Sequence, residues 1–219
     1  MDDVPDIASI AALIGDPARA RMLMALMDGR ALTATELAVE GGVTASTTSS
    51  HLARLTAARL VTLARQGRHR YFRIAQPEIA DVLESLMAVA SRRRPRVGVG
   101  PRDEELRRAR VCYDHLAGER GVRLLERLRE RGFIRGRDGE MTLTREGEAW
   151  VEALGIDVAA LRATRRPLCR SCLDWSERRL HLAGALGAAL LNRLFALRYA
   201  EREPVGRAVI VSSRGAAFL

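Results

Sequence analysis

Hydrophobic residues in the first third of the chain are spaced as in two short helices, and after residue 60 the pattern changes to alternation. The residues that suit the two helices are Leu37, Val43, Leu52, Leu55 and Leu60. Gly41 and Gly42 lie between these helices, where a turn needs a residue that tolerates positive φ. Alternating residues at 61–65 and 70–74 flank Gln66-Gly67-Arg68-His69, which predicts a β-hairpin.

Three more helices are predicted around this core. Two of them cover residues 7–14 and 17–27, and Asp16 is placed to cap the second, just before a proline in its first turn. The third covers residues 77–91 and carries its apolar residues on one stripe. That stripe consists of Ile79, Val82, Leu83, Leu86 and Val89.

Charge and side-chain size indicate DNA as the partner of this region. Residues 41–77 contain six arginines and no Asp or Glu, which is the local cationic patch that a polyanion requires. Thr44 is placed as N-cap of the second short helix, whose outward face bears short polar groups and a cation. The predicted DNA-binding residues are Thr44, Ser46, Thr47, Ser50, His51, Arg54, Arg65, Arg68, His69 and Arg70. The alternative is a solvated loop surface, but a helix-turn-helix, a hairpin and a cation run coincide here.

These residues resemble the winged helix-turn-helix of the ArsR/SmtB family of bacterial transcriptional regulators. The resemblance covers about residues 7–91 and depends most on the segments IAALIGDPARARMLMALMDGRALTATELA, TASTTSSHLARLTAARLV and RQGRHRYFRI. It implies a homodimeric repressor that binds a double-stranded DNA operator and leaves it when an inducer binds. It also implies that the first and last helices of this domain form the dimer interface.

Length and charge distribution predict two domains. The 219 residues leave room for two small cores, and an apolar fraction of 47% is typical of a folded protein. Residues 1–91 carry nine Arg against ten acidic residues, so the net charge of +9 comes from the rest of the chain. The predicted fold class is α+β and mostly α, with a winged helix-turn-helix domain at 1–91 and a smaller-stranded α+β domain at 103–219. The segment 92–102, rich in Arg, Pro and Gly, is either a solvated tether or lies against the DNA backbone.

Targeting signals are not predicted. The N-terminal residues MDDVPD are acidic and no apolar core follows them, which argues against a signal peptide. The longest apolar run, 180–197, is interrupted by His181, Asn192 and Arg193 and does not predict a membrane span. In the cytoplasmic protein that this indicates, three cysteines favour free thiols, or a metal or redox role, over a disulfide framework.

The second domain contains a degenerate internal repeat. Residues 115–128 match residues 181–194, because each copy begins with His-Leu-Ala-Gly, has a further Gly three residues on, and ends with Leu-Leu and Arg-Leu. Alternating segments follow at 132–147 and 208–215, and each enters a predicted helix. Two helix–hairpin units would pack as a pseudo-symmetric domain. Chance agreement in a sequence rich in Leu, Ala, Gly and Arg is the alternative.

Residues able to bind metal lie around this repeat. Cys112 and His115 are three residues apart and are predicted to share a helix face. Cys169 and Cys172 are predicted to lie in a short turn, with His181 nine residues later. These residues could form a Cys₃His zinc site, or three thiolates could bind arsenic(III) or another thiophilic ion. The alternative is that Cys112 is a small core residue and that both histidines are buried packing groups.

Neither familiar inducer site of the ArsR/SmtB family is found in the sequence. The predicted helix around residues 35–40 lacks the cysteine pair of arsenic sensors, and the helix at 77–91 lacks the histidines of zinc sensors. A metal, metalloid or small thiol-reactive inducer is therefore predicted to bind in the second domain. The alternative is a constitutive DNA-binding protein whose second domain serves dimerisation or partner docking. No enzyme activity is predicted, since the sequence has no G-x-G-x-x-G-type nucleotide loop.

Overall fold

The first of two units in the chain, Met1–Leu83, is a winged helix-turn-helix. The structure is a computed structural model and describes residues 6–66, 69–92, 103–136, 140–204 and 206–219. Within these ranges the helices are α1 (Ile7–Gly15), α2 (Pro17–Ala25, followed by the 3-10 turn Leu26–Asp28), α3 (Ala34–Gly41), α4 (Ala45–Ala57) and α5 (Pro77–Arg92). The strands are β1 (Leu32–Thr33), β2 (Val61–Gln66) and β3 (His69–Ile74), in the order β1-β3-β2.

Side-chain caps fix where the helices of this unit begin. Asp16 accepts a hydrogen bond of 2.9 Å from the N–H of Arg19 at the start of α2. Thr44 accepts one of 3.2 Å from the N–H of Thr47 at the start of α4. Between α3 and α4, Gly42 adopts a φ of 63°, which a side chain would make costly. The predicted caps and the predicted turn are confirmed.

The hairpin of β2 and β3 is the wing, and it closes over a hydrophobic core. The strands pair antiparallel from Val61↔Ile74 to Gln66↔His69, which confirms the predicted hairpin. Its turn residues Gly67 and Arg68 lie outside the described residues, as does the predicted linker 92–102 except for Arg92 at the end of α5. The buried core of the unit includes Met22, Leu23, Leu26, Met27, Leu37, Leu52, Leu55, Leu60, Phe72 and Ile74.

The second unit, Glu84–Leu219, repeats one arrangement of strands and helices. After α6 (Glu104–Arg108), the first copy consists of β4 (Arg110–Cys112), β5 (His115–Ala117), α7 (Glu119–Glu130), β6 (Ile134–Arg135), β7 (Thr142–Leu143) and α8 (Arg145–Ala153). After α9 (Val158–Arg162), the second copy consists of β8 (Arg170–Leu173), β9 (Leu180–Ala183), α10 (Gly184–Ala196), β10 (Ala200–Arg202), β11 (Val209–Val211) and α11 (Ser213–Phe218). The strands of each copy pair as two antiparallel hairpins.

Equivalent glycines in the two copies make the same close contact. A Cβ at Gly121 would lie closer than 3.0 Å to the carbonyl of Leu116, and a Cβ at Gly187 would lie equally close to the carbonyl of Leu182. Glycine at these positions therefore lets α7 and α10 pack directly on the hairpin that precedes each of them. The predicted repeat is confirmed, and it is longer than the sequence match because it includes β4 and β8 upstream.

Both copies contribute to one hydrophobic core. Its buried residues include Val111, Leu116, Leu125, Leu128, Ile134, Leu182, Leu186, Leu190, Leu191 and Leu194. The apolar run at 180–197 forms β9 and α10, and most of its leucines are buried in this core. No helix in the described ranges combines the length and apolarity that crossing a membrane requires.

Candidate functional site

Helix α4 carries the polar surface that the sequence predicts to bind DNA. Its buried residues are Thr48, Leu52 and Leu55, and its exposed polar residues include Ser46, Thr47, Ser50 and Arg54. The hydroxyls of Thr44 and Thr47 lie 3.0 Å apart at the exposed start of the helix. Short polar side chains that end in a cation are suited to base edges and phosphates.

His51 differs from the other predicted DNA-binding residues of α4. It is half-buried, and its Nδ1 lies 3.1 Å from a guanidinium nitrogen of Arg19. Its Nε2 lies 3.9 Å from Asp16 at the start of α2. These contacts hold α4 against α2, so His51 has a packing role that the sequence did not indicate.

The wing presents two exposed cations on adjacent strands. Arg65 on β2 and Arg70 on β3 are directly opposite in the antiparallel register. The guanidinium of Arg70 lies 5.8 Å from the ring centroid of Phe72, which supports the stem of the side chain. Arg68 lies outside the described residues, and His69 is described only as the first residue of β3.

Four of the five predicted metal-binding residues come together in the second unit. Cys112, His115, Cys172 and His181 each place one ligand atom within 4.8 Å of all the others. The two sulfur atoms are 4.0 Å apart, and the two Nε2 atoms are 3.0 Å apart. A tetrahedral zinc ion needs separations of roughly 3.8 Å between sulfurs and 3.4 Å between nitrogens, given its usual bond lengths. The donor set and its dimensions therefore fit a four-coordinate zinc-like ion.

Hairpins, and not a helix, bring these residues together. The predicted helix for Cys112 and His115 is wrong, because the chain turns at Tyr113, whose φ is 57°, and makes the two residues cross-strand neighbours. Cys172 and His181 are cross-strand neighbours in the same way. Directly opposite side chains in an antiparallel pair lie on one face. A spacing of three residues suits a tight hairpin as well as a helical turn.

Cys169 lies outside the cluster. The chain bends at Cys169 before β8 begins, and the side chain packs partly buried against the hydrophobic core. Burial raises the pKa of its thiol to about 11. The predicted turn around the second cysteine of the pair is also replaced by a strand, since Cys172 belongs to β8. The assembled donor set is therefore Cys₂His₂ and not the predicted Cys₃His.

A carboxylate lies behind each histidine. Asp114 Oδ1 is 3.1 Å from Nδ1 of His115, and Asp174 Oδ2 is 3.6 Å from Nδ1 of His181. The latter nitrogen is buried and has no hydrogen-bond partner among the described residues. Carboxylates at this position direct the opposite nitrogen, Nε2, toward a metal ion. These acids were not predicted from the sequence, although Cys-x-Asp occurs at both places.

Arginines hold both carboxylates in place. Arg166 makes a bidentate contact with Asp114. Arg110, which is 2% exposed, donates a hydrogen bond of 2.7 Å to Asp174. The N–H of Gly118 donates to the other oxygen of Asp174 at 2.6 Å. The second carboxylate is thus fixed by groups from the first copy of the repeat.

The pKa values of the two thiols and of His115 in the cluster are shifted in different directions. A hydrogen bond from Cys112 lowers the pKa of the Cys172 thiol well below its usual range, although burial opposes this. The same hydrogen bond, together with burial, raises the pKa of Cys112. Burial lowers the pKa of His115, but hydrogen bonds to Asp114 and Cys172 outweigh it and raise that pKa to about 9. These shifts favour the thiolate form of Cys172 and the protonated form of His115.

Comparisons with known proteins identify similar chains. A family model described as the MarR family matches residues 16–70. The uncharacterized HTH-type transcriptional regulator YdfF of Bacillus subtilis is 40% identical over 212 residues, which are 96% of this chain and 94% of YdfF. The HTH-type transcriptional regulator CmtR of Mycobacterium tuberculosis is 34% identical over 83 residues, which are 38% of this chain and 70% of CmtR. The solved structure of M. tuberculosis Rv0081 shares 31% identity over 39% of this chain and 85% of that one, with a TM-score of 0.37.

Proposed function

Because the chain belongs to the helix-turn-helix transcriptional regulators, and the relatives that it matches are regulators and not enzymes, we propose that it is a repressor of the ArsR/SmtB type. It binds a DNA operator as a homodimer, and it leaves the operator when a zinc-like divalent ion binds to the second unit. The observation that carries this proposal is the assembly of Cys112, His115, Cys172 and His181 in a unit separate from the DNA-binding one.

DNA binding uses α4 and the wing. The exposed groups of α4, with Thr47 and Ser50 foremost, contact base edges in the major groove. Arg65 and Arg70 on the wing contact phosphates or the minor groove. Two copies of α4 in a symmetric dimer then occupy half-sites about 10 base pairs apart, or a multiple of that.

Dimerisation uses the outer faces of α1 and α5. Ile7 on α1 is 74% exposed, and all residues of that helix lie outside the core of the single chain. On α5, Val82, Leu86 and Val89 are all about half exposed. Contiguous exposed apolar surface is typical of protein interaction sites. The resemblance to the ArsR/SmtB family supports this proposal, since it implies that these two helices form the dimer interface.

The four donor atoms favour zinc over arsenic(III), the two inducer ions that the sequence suggests. Two thiols and two imidazoles suit zinc, which accepts nitrogen and sulfur in a tetrahedron. Arsenic(III) would need a third thiolate, but Cys169 lies outside the cluster. The buried Nδ1 of His181 also supports a bound ion, since an ion at Nε2 would fix the ring and its tautomer.

A second candidate function is a constitutive DNA-binding protein with a structural zinc. What favours it is that four protein ligands close the coordination sphere, which is typical of structural sites. A structural ion stabilises the DNA-bound and free proteins equally, and so leaves the operator affinity unchanged.

The experiment that separates these functions measures operator affinity of the full-length protein with and without added Zn²⁺. For a sensor, zinc lowers the affinity, with a factor of roughly 5 to 150 being ordinary for such coupling. The double variant Cys112→Ser/Cys172→Ser should not respond, and Cys169→Ser is the matched control that should respond as wild type does. A wild type that binds the operator equally well in both conditions would favour the structural zinc.

A further inference from the structure

Arg19 on α2 is buried inside the winged helix-turn-helix. It is 7% exposed, and no other arginine in the described part of the first unit is buried. A guanidinium has five N–H donors and no acceptor, and it stays charged in proteins. Burial of such a group is costly unless acceptors surround it. The acceptors around Arg19 therefore show which parts of the unit it holds together.

Two of these acceptors lie at the end of α1. Nε of Arg19 donates a hydrogen bond of 2.6 Å to the carbonyl of Leu13, and Nη2 donates one of 3.1 Å to the carbonyl of Ala12. The last four carbonyls of a helix have no partner within the helix, and both of these belong to that group because α1 ends at Gly15. Arg19 thus caps α1 and fixes its end against α2.

A third acceptor is His51 on α4. Nη1 of Arg19 lies 3.1 Å from Nδ1 of His51. Because a guanidinium only donates, Nδ1 must accept, and a neutral His51 carries its proton on Nε2. Nε2 in turn lies 3.9 Å from Oδ1 of Asp16, the residue that caps α2. One buried guanidinium therefore joins α1, α2 and α4.

We propose that Arg19 is a positioning residue for DNA binding, which acts through His51 on α4. This inference rests on the proposed function, in which α4 contacts base edges. His51 directly follows Ser50 and lies three residues before Arg54, and both of these are exposed on α4. The contact between Arg19 and His51 fixes the rotation of α4 about its axis, and with it the direction of these side chains. Base readout needs hydrogen bonds of defined length and angle, so a rotated α4 loses base contacts.

The link from Arg19 to α1 also holds α4 relative to the second copy of the chain. The proposed function places α1 in the dimer interface, and two copies of α4 must then fit half-sites at a fixed spacing. A rigid connection from the end of α1 to the middle of α4 keeps each α4 at one position relative to the interface. Loss of that connection should therefore affect sequence-specific binding more than general attraction to DNA.

The test is a double-variant cycle on the full-length protein, with Arg19→Met, His51→Ala and both changes together. Methionine is long and flexible enough to fill the space of the arginine stem, and it removes all the donors. Arg21→Met is the matched control, because Arg21 lies on the same helix and donates a hydrogen bond of 2.6 Å to the carbonyl of Gly41 at the end of α3. The DNA probe is the duplex that the wild type enriches most strongly from a random library. Its affinity and that of random duplex are measured over a range of salt concentrations.

We expect Arg19→Met to bind the enriched duplex roughly 5- to 150-fold more weakly, the equivalent of one misplaced base contact. Its log–log dependence on salt should keep the wild-type slope, since a buried arginine contacts no phosphate. The double variant Arg19→Met/His51→Ala should bind no more weakly than the weaker single variant, because both changes break one contact. The effects of Arg21→Met and His51→Ala should instead multiply.

Three results would overturn the inference and leave the proposed function intact. The first is an unchanged affinity of Arg19→Met for the enriched duplex. The second is a double variant in which the effects of Arg19→Met and His51→Ala multiply, since Arg19 would then not act through His51. The third is a salt slope that Arg19→Met flattens by about one unit, which would make Arg19 a phosphate contact. A wild type that enriches no duplex would refute the proposed function and the inference with it.

A second measurement does not depend on the folding of any variant at Arg19. The ¹⁵N NMR spectrum of the histidine rings in the wild-type protein shows which ring nitrogen carries a proton, and the spectrum of His51→Ala identifies the signals of His51. The inference predicts a proton on Nε2 and an unprotonated Nδ1 that accepts from Arg19. A proton on Nδ1 of His51 would overturn it, because two donors cannot form a hydrogen bond.

Discussion

His115 and His181 face each other through Nε2 atoms that are 3.0 Å apart, although 66 residues separate them in the chain. Each histidine pairs across a hairpin with a cysteine, and the two hairpins are equivalent parts of the repeat. Each copy thus supplies one sulfur and one nitrogen, and neither copy has a four-ligand site by itself. The candidate metal site therefore combines ligands from both copies of the repeat.

The first prediction concerns this equal division of ligands. Cys112→Ser and Cys172→Ser should each lower Zn²⁺ affinity, by roughly a hundredfold, since four ligands share about 10–16 kcal/mol of binding free energy. His115→Ala and His181→Ala should have similar effects. Competition with a chromophoric chelator measures each affinity. Cys169→Ser is the control and should bind zinc as wild type does, so an equal loss in that variant would contradict the Cys₂His₂ site.

The second prediction concerns Gly121 and Gly187, which occupy equivalent positions in the two copies of the repeat. Gly121→Ala would press a Cβ against the carbonyl of Leu116 and bring it to 3.5 Å from Cβ of His181. Gly187→Ala would do the same in the other copy, 3.3 Å from Cβ of His115. Because backbone must move, each change should lower the free energy of unfolding by about 1–3 kcal/mol, measured by urea denaturation.

Both glycine variants should also weaken zinc binding, because the carbonyls that must move belong to Leu116 and Leu182, the chain neighbours of His115 and His181. Gly15→Ala is the control, since nothing lies within 4 Å of a Cβ at that position. Its unfolding midpoint and zinc affinity should match those of wild type. Two glycine variants that differed widely from each other would argue against equivalent roles for the two copies.

The sequence predicted the winged helix-turn-helix well because its signals are local. Asp16 and Thr44 are helix N-caps, and each accepts a hydrogen bond from the N–H three residues later. Gly42 adopts the positive φ that the turn between α3 and α4 requires. Alternation over 61–66 and 69–74 predicts paired strands without knowledge of the rest of the chain. Each of these interactions depends on residues that are close in sequence.

The cysteine–histidine cluster was only partly predictable because its geometry is not local. The sequence indicated the right residue types, but a spacing of three residues between Cys112 and His115 fits a helix face and a hairpin equally well. The choice of Cys172 over Cys169 depends on a bend that packs one thiol against the core. Burial of Glu84, which is 6% exposed on α5, depends on tertiary packing, which periodicity along one helix does not specify.

The third prediction concerns acid stability and the ion pair of Arg110 and Asp174. The pair is 2.7 Å long, and its side chains are 2% and 0% exposed. Burial raises the pKa of Asp174, but the charge of Arg110, the charge of His181 and hydrogen bonds from residues 176 and 177 together outweigh it and hold that pKa well below the usual value of 3.8. The stabilisation is thus complete above pH 3.8 and is lost as pH falls through the lowered value.

Asp174→Asn should therefore lower the free energy of unfolding at neutral pH by about 3–5 kcal/mol, because Arg110 is left buried without its counter-charge. Below pH 3.8 its stability should fall less steeply than that of wild type. Urea denaturation across the acid range measures both effects. Glu104→Gln removes an exposed ion pair with Arg108 and is the control, with an expected change of at most about 1 kcal/mol. Parallel pH profiles for Asp174→Asn and wild type would contradict the assignment.

The last prediction separates the wing from α4 in DNA binding. Arg70 is exposed on β3 opposite Arg65, so Arg70→Ala removes a cation without disturbing the buried core. It should weaken binding to all DNA sequences alike and flatten the log–log dependence on salt by about one unit, as for one lost phosphate contact. Thr47→Ala should instead reduce discrimination between operator and random DNA and leave the salt slope unchanged. Arg145→Ala on α8 is the charge-matched control and should leave both quantities unchanged. An unaltered slope in Arg70→Ala would remove that residue from the interface.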